Sequence, residues 1–544
     1  MLSPRPTNRW VALGVITVGV ALIIMDATIV NVAVPTVIRS LSLTTADAEW
    51  LGSAYALTFG AFLLTFGRLG DRVGRRSMFL WGMTLFALAS VVVGSAMSSQ
   101  MLIGARLVQG MGAAMIMPAG LSTVNALFAG RERGIAFAVW GSTIGGMAAV
   151  GPLVGGWLTT DFSWRWSFWL NIPIALGVIA VGLRRLPETA EGEHDGVDLV
   201  GMLLAATGMG ALVFSLIESQ RYGWWHGSDG SASPIPWVLL LSLVLLTAFV
   251  LLEVRRRRAG LAVMLDVGLL GYPSYRWGSI AALIVAFGEF GLLFTLPLLL
   301  QGALGYSALD TGWGILVLAV GTFLASGMTP QLTRRRGGRS VVRIGLGVEA
   351  VAVGALALTL GLHQHWWVIA AWLFLYGLGV GMATAQLTSV VLVDVPVVMS
   401  GQASGLLSTF RQVGSALGVA VLGALLVAGL GTGTASRLDA QGMPPEAAHQ
   451  AVVAVRESDG AVIPQLAADP STAPVAHAAA EALVASSRVV TAAASLLLLL
   501  GLLVTLALPD AGRGADRNEQ VEPEEDEPAE GEIGSRPEPT PDPA

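Results

Sequence analysis

The chain has 544 residues, of which 54% are hydrophobic and only 12% charged, about half the share of roughly 25% found in soluble domains. Mean hydropathy is +0.69. A soluble chain of this size could not cover that much apolar surface, so the composition excludes a disordered protein, a soluble enzyme and a nucleic-acid binder. It indicates a polytopic protein of the lipid bilayer. The net charge of −6 arises from acidic residues concentrated near the C-terminus.

Apolar runs long enough to cross a bilayer are predicted near 10–36, 48–67, 77–97, 101–127, 134–158, 166–186 and 198–218. Seven more follow near 234–254, 275–300, 309–330, 341–362, 366–393, 402–429 and 487–508. The first is too long for a signal-peptide core and is read as a span. Arg clusters follow the even-numbered runs: Arg68, Arg72, Arg75 and Arg76; Arg131 and Arg133; Arg184 and Arg185; Arg255 to Arg258; Arg334, Arg335, Arg336 and Arg339. By the positive-inside rule these loops are cytoplasmic, which puts both termini inside a multi-pass protein of the inner (plasma) membrane. The expected organisation is a cytoplasmic N-terminus at 1–9 and a six-helix bundle at 10–186. A linker with two inserted helices occupies 187–258, and a second six-helix bundle 259–508. Residues 430–486 are expected as an external loop with short amphipathic helices around Pro445–Arg456 and Pro474–Ser486. Residues 509–544 are expected as a disordered acidic cytoplasmic tail.

Two residue types are absent. Without Cys there are no disulfides, thiolate metal sites or redox motifs. Without Lys, since every basic residue is Arg, a Walker-type ATP loop and a pyridoxal-phosphate Schiff base are both ruled out. No cofactor is expected, and the six His give no metal site: His363 and His365 stand two apart with no third ligand evident. Any work done must draw on an ion gradient or a partner.

The chain repeats itself. A shift of 263 residues brings Asp26 onto Glu289 and the Arg72–Ser77 stretch onto Arg335–Ser340. A shift of 267 brings Gly110, Gly112, Gly134, Gly151 and Gly156 onto Gly377, Gly379, Gly401, Gly418 and Gly423. Helices 1–6 are therefore expected to recur as helices 9–14, with 7 and 8 inserted. Two similar halves around a central cavity is a transporter architecture.

Five stretches carry a resemblance: Met25–Pro35, Gly67–Arg76 (GRLGDRVGRR), Arg106–Ala114, Gly151–Gly156 (GPLVGG) and Trp164–Pro173 (WRWSFWLNIP). Together they resemble the fourteen-helix drug:proton antiporters of the major facilitator superfamily, the EmrB/QacA subfamily, over residues 10–510. The resemblance implies an all-α major facilitator fold of two six-helix bundles plus two inserted helices. It implies a monomeric, non-enzymatic efflux antiporter that exports amphipathic or cationic drugs by alternating access, driven by protons and independent of ATP. A lipid or cell-envelope precursor exporter on the same scaffold is the alternative, and a non-transporting membrane sensor a more distant one.

Physical chemistry assigns the candidate residues. Gly67, Gly70, Asp71, Arg72, Gly74, Arg75 and Arg76 hold one carboxylate among glycines and arginines. Asp71 can pair with Arg or face a helix N-terminus, a contact that exists in one state and breaks in another: a conformational latch. Its Arg residues alone would only satisfy the positive-inside rule. In the second copy Arg334 stands at the place of Asp71, and no equivalent role is expected. Asp26, Glu289 and Glu349 fall inside apolar spans, where a charge costs roughly 2.5–3.5 kcal/mol on insertion scales. A carboxylate withdrawn from water holds a proton more readily, so these groups suit a site that takes a proton or a cationic substrate. Glu289 and Glu349 are read as substrate or proton groups, and Asp26 with Arg106 as the proton-coupling pair. The resemblance ties Arg106 to coupling, and the repeat puts Leu373 at its counterpart. A purely structural hydrogen-bond role is the competing reading for Asp26, and a position near the cytoplasmic interface for Glu349. Arg411 could snorkel to the cytoplasmic surface. Gly146, Gly151, Pro152, Gly155 and Gly156 give helix 5 a smooth face for close approach. This pattern resembles the antiporter signature of exporters.

Overall fold

A computed structural model describes residues 8–509 except 42, 44, 190–197, 226–230, 262, 307 and 397–398. The expected N-terminal segment up to residue 7, part of the linker after the first bundle and the acidic tail from residue 510 lie outside the described residues. Fourteen long helices make up the described body: α1 Arg9–Leu41, α2 Thr45–Val73, α3 Arg75–Gly94, α4 Ser99–Leu127, α5 Gly130–Asp161, α6 Trp166–Arg185 and α7 Leu199–Tyr222. Then come α8 Ile235–Arg258, α9 Pro273–Ala303, α10 Ala308–Arg336, α11 Gly338–Thr359, α12 Trp366–Val391, α13 Ser400–Ala440 and α14 Ala473–Val504. Among the described residues thirteen of these are long and apolar enough to cross a membrane, and α5, 32 residues long, packs among them. In a bilayer a helix closes its own backbone hydrogen bonds, which is why an apolar chain adopts this form throughout.

The same packing pattern occurs twice. In the first set α1 packs on α5 and α6, α2 on α4, and α3 on α4 and α6. In the second set α9 packs on α13 and α14, α10 on α12, and α11 on α12 and α14. The two sets meet through α2 against α13 and α5 against α10, and through α4 against α13 and α12 against α5. Each contact in these two pairs maps onto the other when the sets are exchanged. Helices α7 and α8 pack on each other and reach the rest chiefly through α2. Ahead of the arginines that end α8, its exposed side chains, including Trp237, Leu240, Leu243, Val244 and Leu251, are apolar except for Thr247, as a lipid-facing surface requires.

Several boundaries differ from the hydropathy reading. The latch motif is not a loop. Helix α2 continues through Gly67–Val73, and the chain reverses at the single residue Gly74 before α3 starts at Arg75. Gly74 has φ of 108°, which a side chain would strain. The charged residues of this stretch depress mean hydropathy without breaking the helix. On the opposite face α13 runs on to Ala440 rather than stopping at 429, and 474–486 is the first part of α14 rather than a separate helix. Between them sit helices Pro445–Glu457 and Ile463–Ala468. They pack a small apolar cluster of Leu438, Val475 and Ala478 with Met443 and Val452.

The Arg-rich helix ends gather on one face. Arg9 pairs with Glu132 at 2.7 Å, and Arg76 donates to the Leu183 carbonyl at 2.5 Å. Arg343 donates to the Thr505 carbonyl at 3.0 Å, and Arg339 to that of Leu508. The last two place cations at the carbonyl end of α14, where the helix dipole favours them.

Candidate functional site

In the first half α1 carries Asp26 and α4 carries Arg106 into the bundle, at 0% and 1% exposure. Arg106 Nη1 donates to Asp26 Oδ2 at 2.6 Å and to Gln109 Oε1 at 2.7 Å, while its Nε donates to the Leu51 carbonyl at 3.1 Å. The Tyr55 ring lies 4.5 Å from the guanidinium carbon. The other oxygen of Asp26 accepts from Gln109 Nε2 at 2.9 Å and from Asn171 Nδ2 at 2.7 Å. Ser90 Oγ closes the network, accepting from both amides at 2.9 and 3.2 Å. Burying a guanidinium and a carboxylate is tolerated when each is paired and hydrogen-bonded, and here each is. The sequence singles out Asp26 and Arg106 but not Gln109, Ser90 or Asn171. Gln109 stands one helical turn from Arg106, and Asn171 lies in the Trp164–Pro173 stretch. That stretch was legible as a motif, though not as a reach across the bundle to α1.

The second half carries Glu289 on α9 at the repeat position of Asp26. It is buried, and its Oε1 accepts from Thr384 Oγ1 at 3.4 Å. Glu349 on α11 is also buried, and both its oxygens lack a hydrogen-bond partner among the described residues. Glu289, Glu349, Tyr376 and Arg411 interact electrostatically as one cluster. The cluster also settles how the halves superpose. A Cβ on Gly112 would strike Gly82 and Phe86, and one on Gly379 would strike Gly345 and Glu349. Glu349 therefore occupies the place of Phe86, a buried apolar residue.

The latch residues join the two halves. Asp71 Oδ1 accepts from Arg75 Nε and Nη2 at 3.0 and 2.8 Å and from the Gly401 N–H at 3.1 Å. Its Oδ2 accepts from the Gln402 N–H at 3.0 Å. Gly401 and Gln402 are in the first turn of α13, so the carboxylate caps a helix N-terminus across the interface. Gly67 permits the approach, since a Cβ there would press on Gly401 and Gly405. A Cβ on Gly401 would meet the Asp71 carboxylate itself. Nearby, Asn125 Nδ2 donates to Ser400 Oγ at 3.0 Å, closing α4 on α13. Gly70 sits beside Met78, and Arg75 N–H donates to Glu188 Oε1 at 2.8 Å. At the mirror contact Arg334 is exposed, and no carboxylate stands in its place.

On α5, Gly151 and Gly155 touch α1. Added Cβ atoms would lie 3.0 Å from the Met25 and Ile29 carbonyls respectively, the residue before Asp26 and the one a turn after it. Gly146 faces open space, and α5 stays helical through Pro152 and Gly156. Gly151 and Gly155 thus permit the close approach. The second half repeats it: a Cβ on Gly418 would strike Phe287 and Gly291 of α9.

Two six-helix sets of one design, packed against each other and carrying charged groups in their interiors, have the architecture of a membrane transporter. The chain belongs to the Major Facilitator Superfamily, whose sequence profile matches residues 16–419. It is similar to a probable actinorhodin transporter of Streptomyces coelicolor, with 34% identity over 80% of this chain and 75% of the relative. It is also similar to the puromycin resistance protein pur8 of Streptomyces alboniger, with 35% identity over 77% and 82%. The multidrug efflux pump LfrA of Mycolicibacterium smegmatis is 31% identical over 78% and 82%. Among solved structures, the human organic anion transporter MFSD10 superposes with a TM-score of 0.60 over 91% of this chain and 98% of that one. Its 14% identity makes this a likeness of fold.

Proposed function

We propose that the protein is a proton-driven antiporter that exports amphipathic or cationic drugs or antibiotics across the cytoplasmic membrane. The observation that carries this reading is the pair of buried acidic residues, Asp26 and Glu289, at matching positions of the two halves. Charge at membrane depth is costly and is kept where ions or charged substrates are handled. The relatives named for antibiotic and multidrug export supply the direction of transport and the substrate class. The Arg-rich face is cytoplasmic in this reading, with both termini on that side, so the latch closes the cytoplasmic end. Breaking the Asp71 contact with α13 admits substrate from inside. The Asp26–Arg106 pair ties α1 to α4 while α5 slides on α1 at Gly151 and Gly155, which links the charge state of the interior to helix movement. Glu289 and Glu349 form the substrate or proton site. Each net elementary charge moved across 100 mV yields about 2.3 kcal/mol, which at roughly 1.4 kcal/mol per decade sustains about a fifty-fold gradient per net charge. The test is a drug-susceptibility panel in an efflux-deficient host. The protein should raise resistance to several amphipathic cations, and a protonophore should abolish the effect. Resistance that survives the protonophore would exclude proton drive, and no resistance to any compound would exclude drug export.

A further inference from the structure

The connections on either side of the inserted pair α7–α8 both run past the latch. Where the chain leaves the first bundle, Glu188 Oε1 accepts from the Arg75 N–H at 2.8 Å, and the Thr189 carbonyl from Arg75 Nη1 at 3.3 Å. Where it enters the second, the Asp266 N–H donates to Gln402 Oε1 at 2.9 Å. Arg75 and Gln402 are two of the three residues that donate to Asp71, Gly401 being the third.

The second connection, 263–266, is held as a strap. Glu253 of α8, with 0% of its surface exposed, accepts through Oε2 from the Met264 and Leu265 N–H groups at 2.9 and 3.1 Å. Asp266 fixes the far end, accepting through Oδ1 from the Gly268 N–H at 2.7 Å and pairing with Arg257 at 3.1 Å. Val263 and Met264 share a small cavity with Arg68, Leu69 and Arg72 of α2. A carboxylate withdrawn from water is costly unless its oxygens are satisfied, and Glu253 gives one oxygen wholly to the strap's backbone. Its other oxygen, Oε1, and Asp198 Oδ2 both lack a donor among the described residues. An added Cβ on Gly201 would lie 2.5 Å from each of them. Asp198 caps α7, accepting from the Gly201 N–H at 2.9 Å, and pairs with Arg256 at 3.2 Å. Glu253 thus meets the first turn of α7 with one oxygen and the strap with the other, so a shift of the inserted pair carries the strap with it.

We infer that Glu253 is a positioning residue of the latch. Through the strap it fixes the Gln402 side chain, and with it the first turn of α13 that Asp71 caps. The inserted pair is in this way a control element of the gate as well as a lipid-facing addition. This rests on the latch reading of Asp71 and names what keeps its partner helix in place.

Spin labels on Val73→Cys and Val393→Cys, both exposed positions in a chain without native Cys, report the open-to-closed ratio in detergent. Glu253→Ala should raise that ratio about fivefold, the worth of one lost Asp266–Gln402 hydrogen bond. Gln402→Leu removes the acceptor but keeps its own backbone N–H on Asp71. It should have the same effect, and it takes the place of Glu253→Ala if that variant does not fold. Glu253→Gln keeps an acceptor for the strap and offers its amide to Asp198 Oδ2, so it should hold the parent ratio. In an Asp71→Ala background, neither Glu253→Ala nor Gln402→Leu should change the ratio further. Full additivity there overturns the inference, as does a Glu253→Gln variant as open as Glu253→Ala. If Asp71→Ala opens the protein while Glu253→Ala and Gln402→Leu keep the parent ratio, the strap alone is refuted. If Asp71→Ala itself keeps the parent ratio, the latch is refuted and the role of Glu253 falls with it.

Discussion

Asp26 shows how much a single buried side chain depends on its partners. Three donors converge on it from α4 and α6, and Arg106 has no other carboxylate within ion-pair distance among the described residues. Replacing Asp26 by Asn leaves a guanidinium in the bundle without its counter-charge, a situation that costs about 3–5 kcal/mol. Removing Arg106 as well eliminates the stranded charge. Thermal unfolding in detergent should therefore show Asp26→Asn strongly destabilised and the Asp26→Asn/Arg106→Gln pair recovering much of the loss. Additive losses in the two single variants and the double variant would show that the groups do not depend on each other. Asn171 belongs to the same network with a smaller stake. Its truncation to Ala removes one hydrogen bond to a charged acceptor, about 1.5–3 kcal/mol, so its melting temperature should fall between those of the parent and Asp26→Asn.

At the scale of helices the decisive contact is the cap that Asp71 places on α13. A side-chain N-cap contributes about 1 kcal/mol, which shifts an open–closed equilibrium roughly fivefold. The absence of Cys makes this measurable, because introduced cysteines are the only ones. Val73 and Val393, both exposed near the Arg-rich face, can be changed to Cys for a spin-label pair spanning the two halves. In Asp71→Ala, which removes the capping oxygens, the distance distribution should shift toward the longer, open population. Gly401→Ala, which crowds the carboxylate without altering charge, should do the same. Unchanged distributions in both variants would refute the latch. The elements also show what the sequence could and could not reveal. The spans were legible because a bilayer demands long apolar runs, and Asp71 because a lone acid among glycines and arginines is unusual. That α2 continues through Gly67–Val73 was not legible, since charges at a helix end look like a loop to hydropathy. The α13 N-terminus as the partner of Asp71 was not legible either, because the two are 330 residues apart and no local pattern links them.

For the molecule as a whole, the repeat in the sequence reappears as duplicated packing, and it explains where sequence reading stops. Glycine spacing survives in both halves because close helix approach requires it. Leu373 in place of Arg106 is legible from the repeat alone, whereas Glu349 in place of Phe86 stands out only once the halves are superposed. Orientation is the remaining property that belongs to the whole chain. The Arg-rich ends of α2, α6, α8 and α10 and the start of α5 share one face, while the helices at Pro445–Glu457 and Ile463–Ala468 occupy the other. Lys and Arg resist transfer across the membrane during insertion, so the Arg-rich face should be cytoplasmic. Ala259, just after the four arginines ending α8, and Ser471, in the turn before α14, are both exposed and lie on opposite faces. Each can be changed singly to Cys in this cysteine-free chain. In intact cells a membrane-impermeant maleimide should label Ser471→Cys at once and Ala259→Cys only after the membrane is opened. The reverse pattern would invert the protein, placing the latch outside and turning the proposed exporter into an importer by the same geometry.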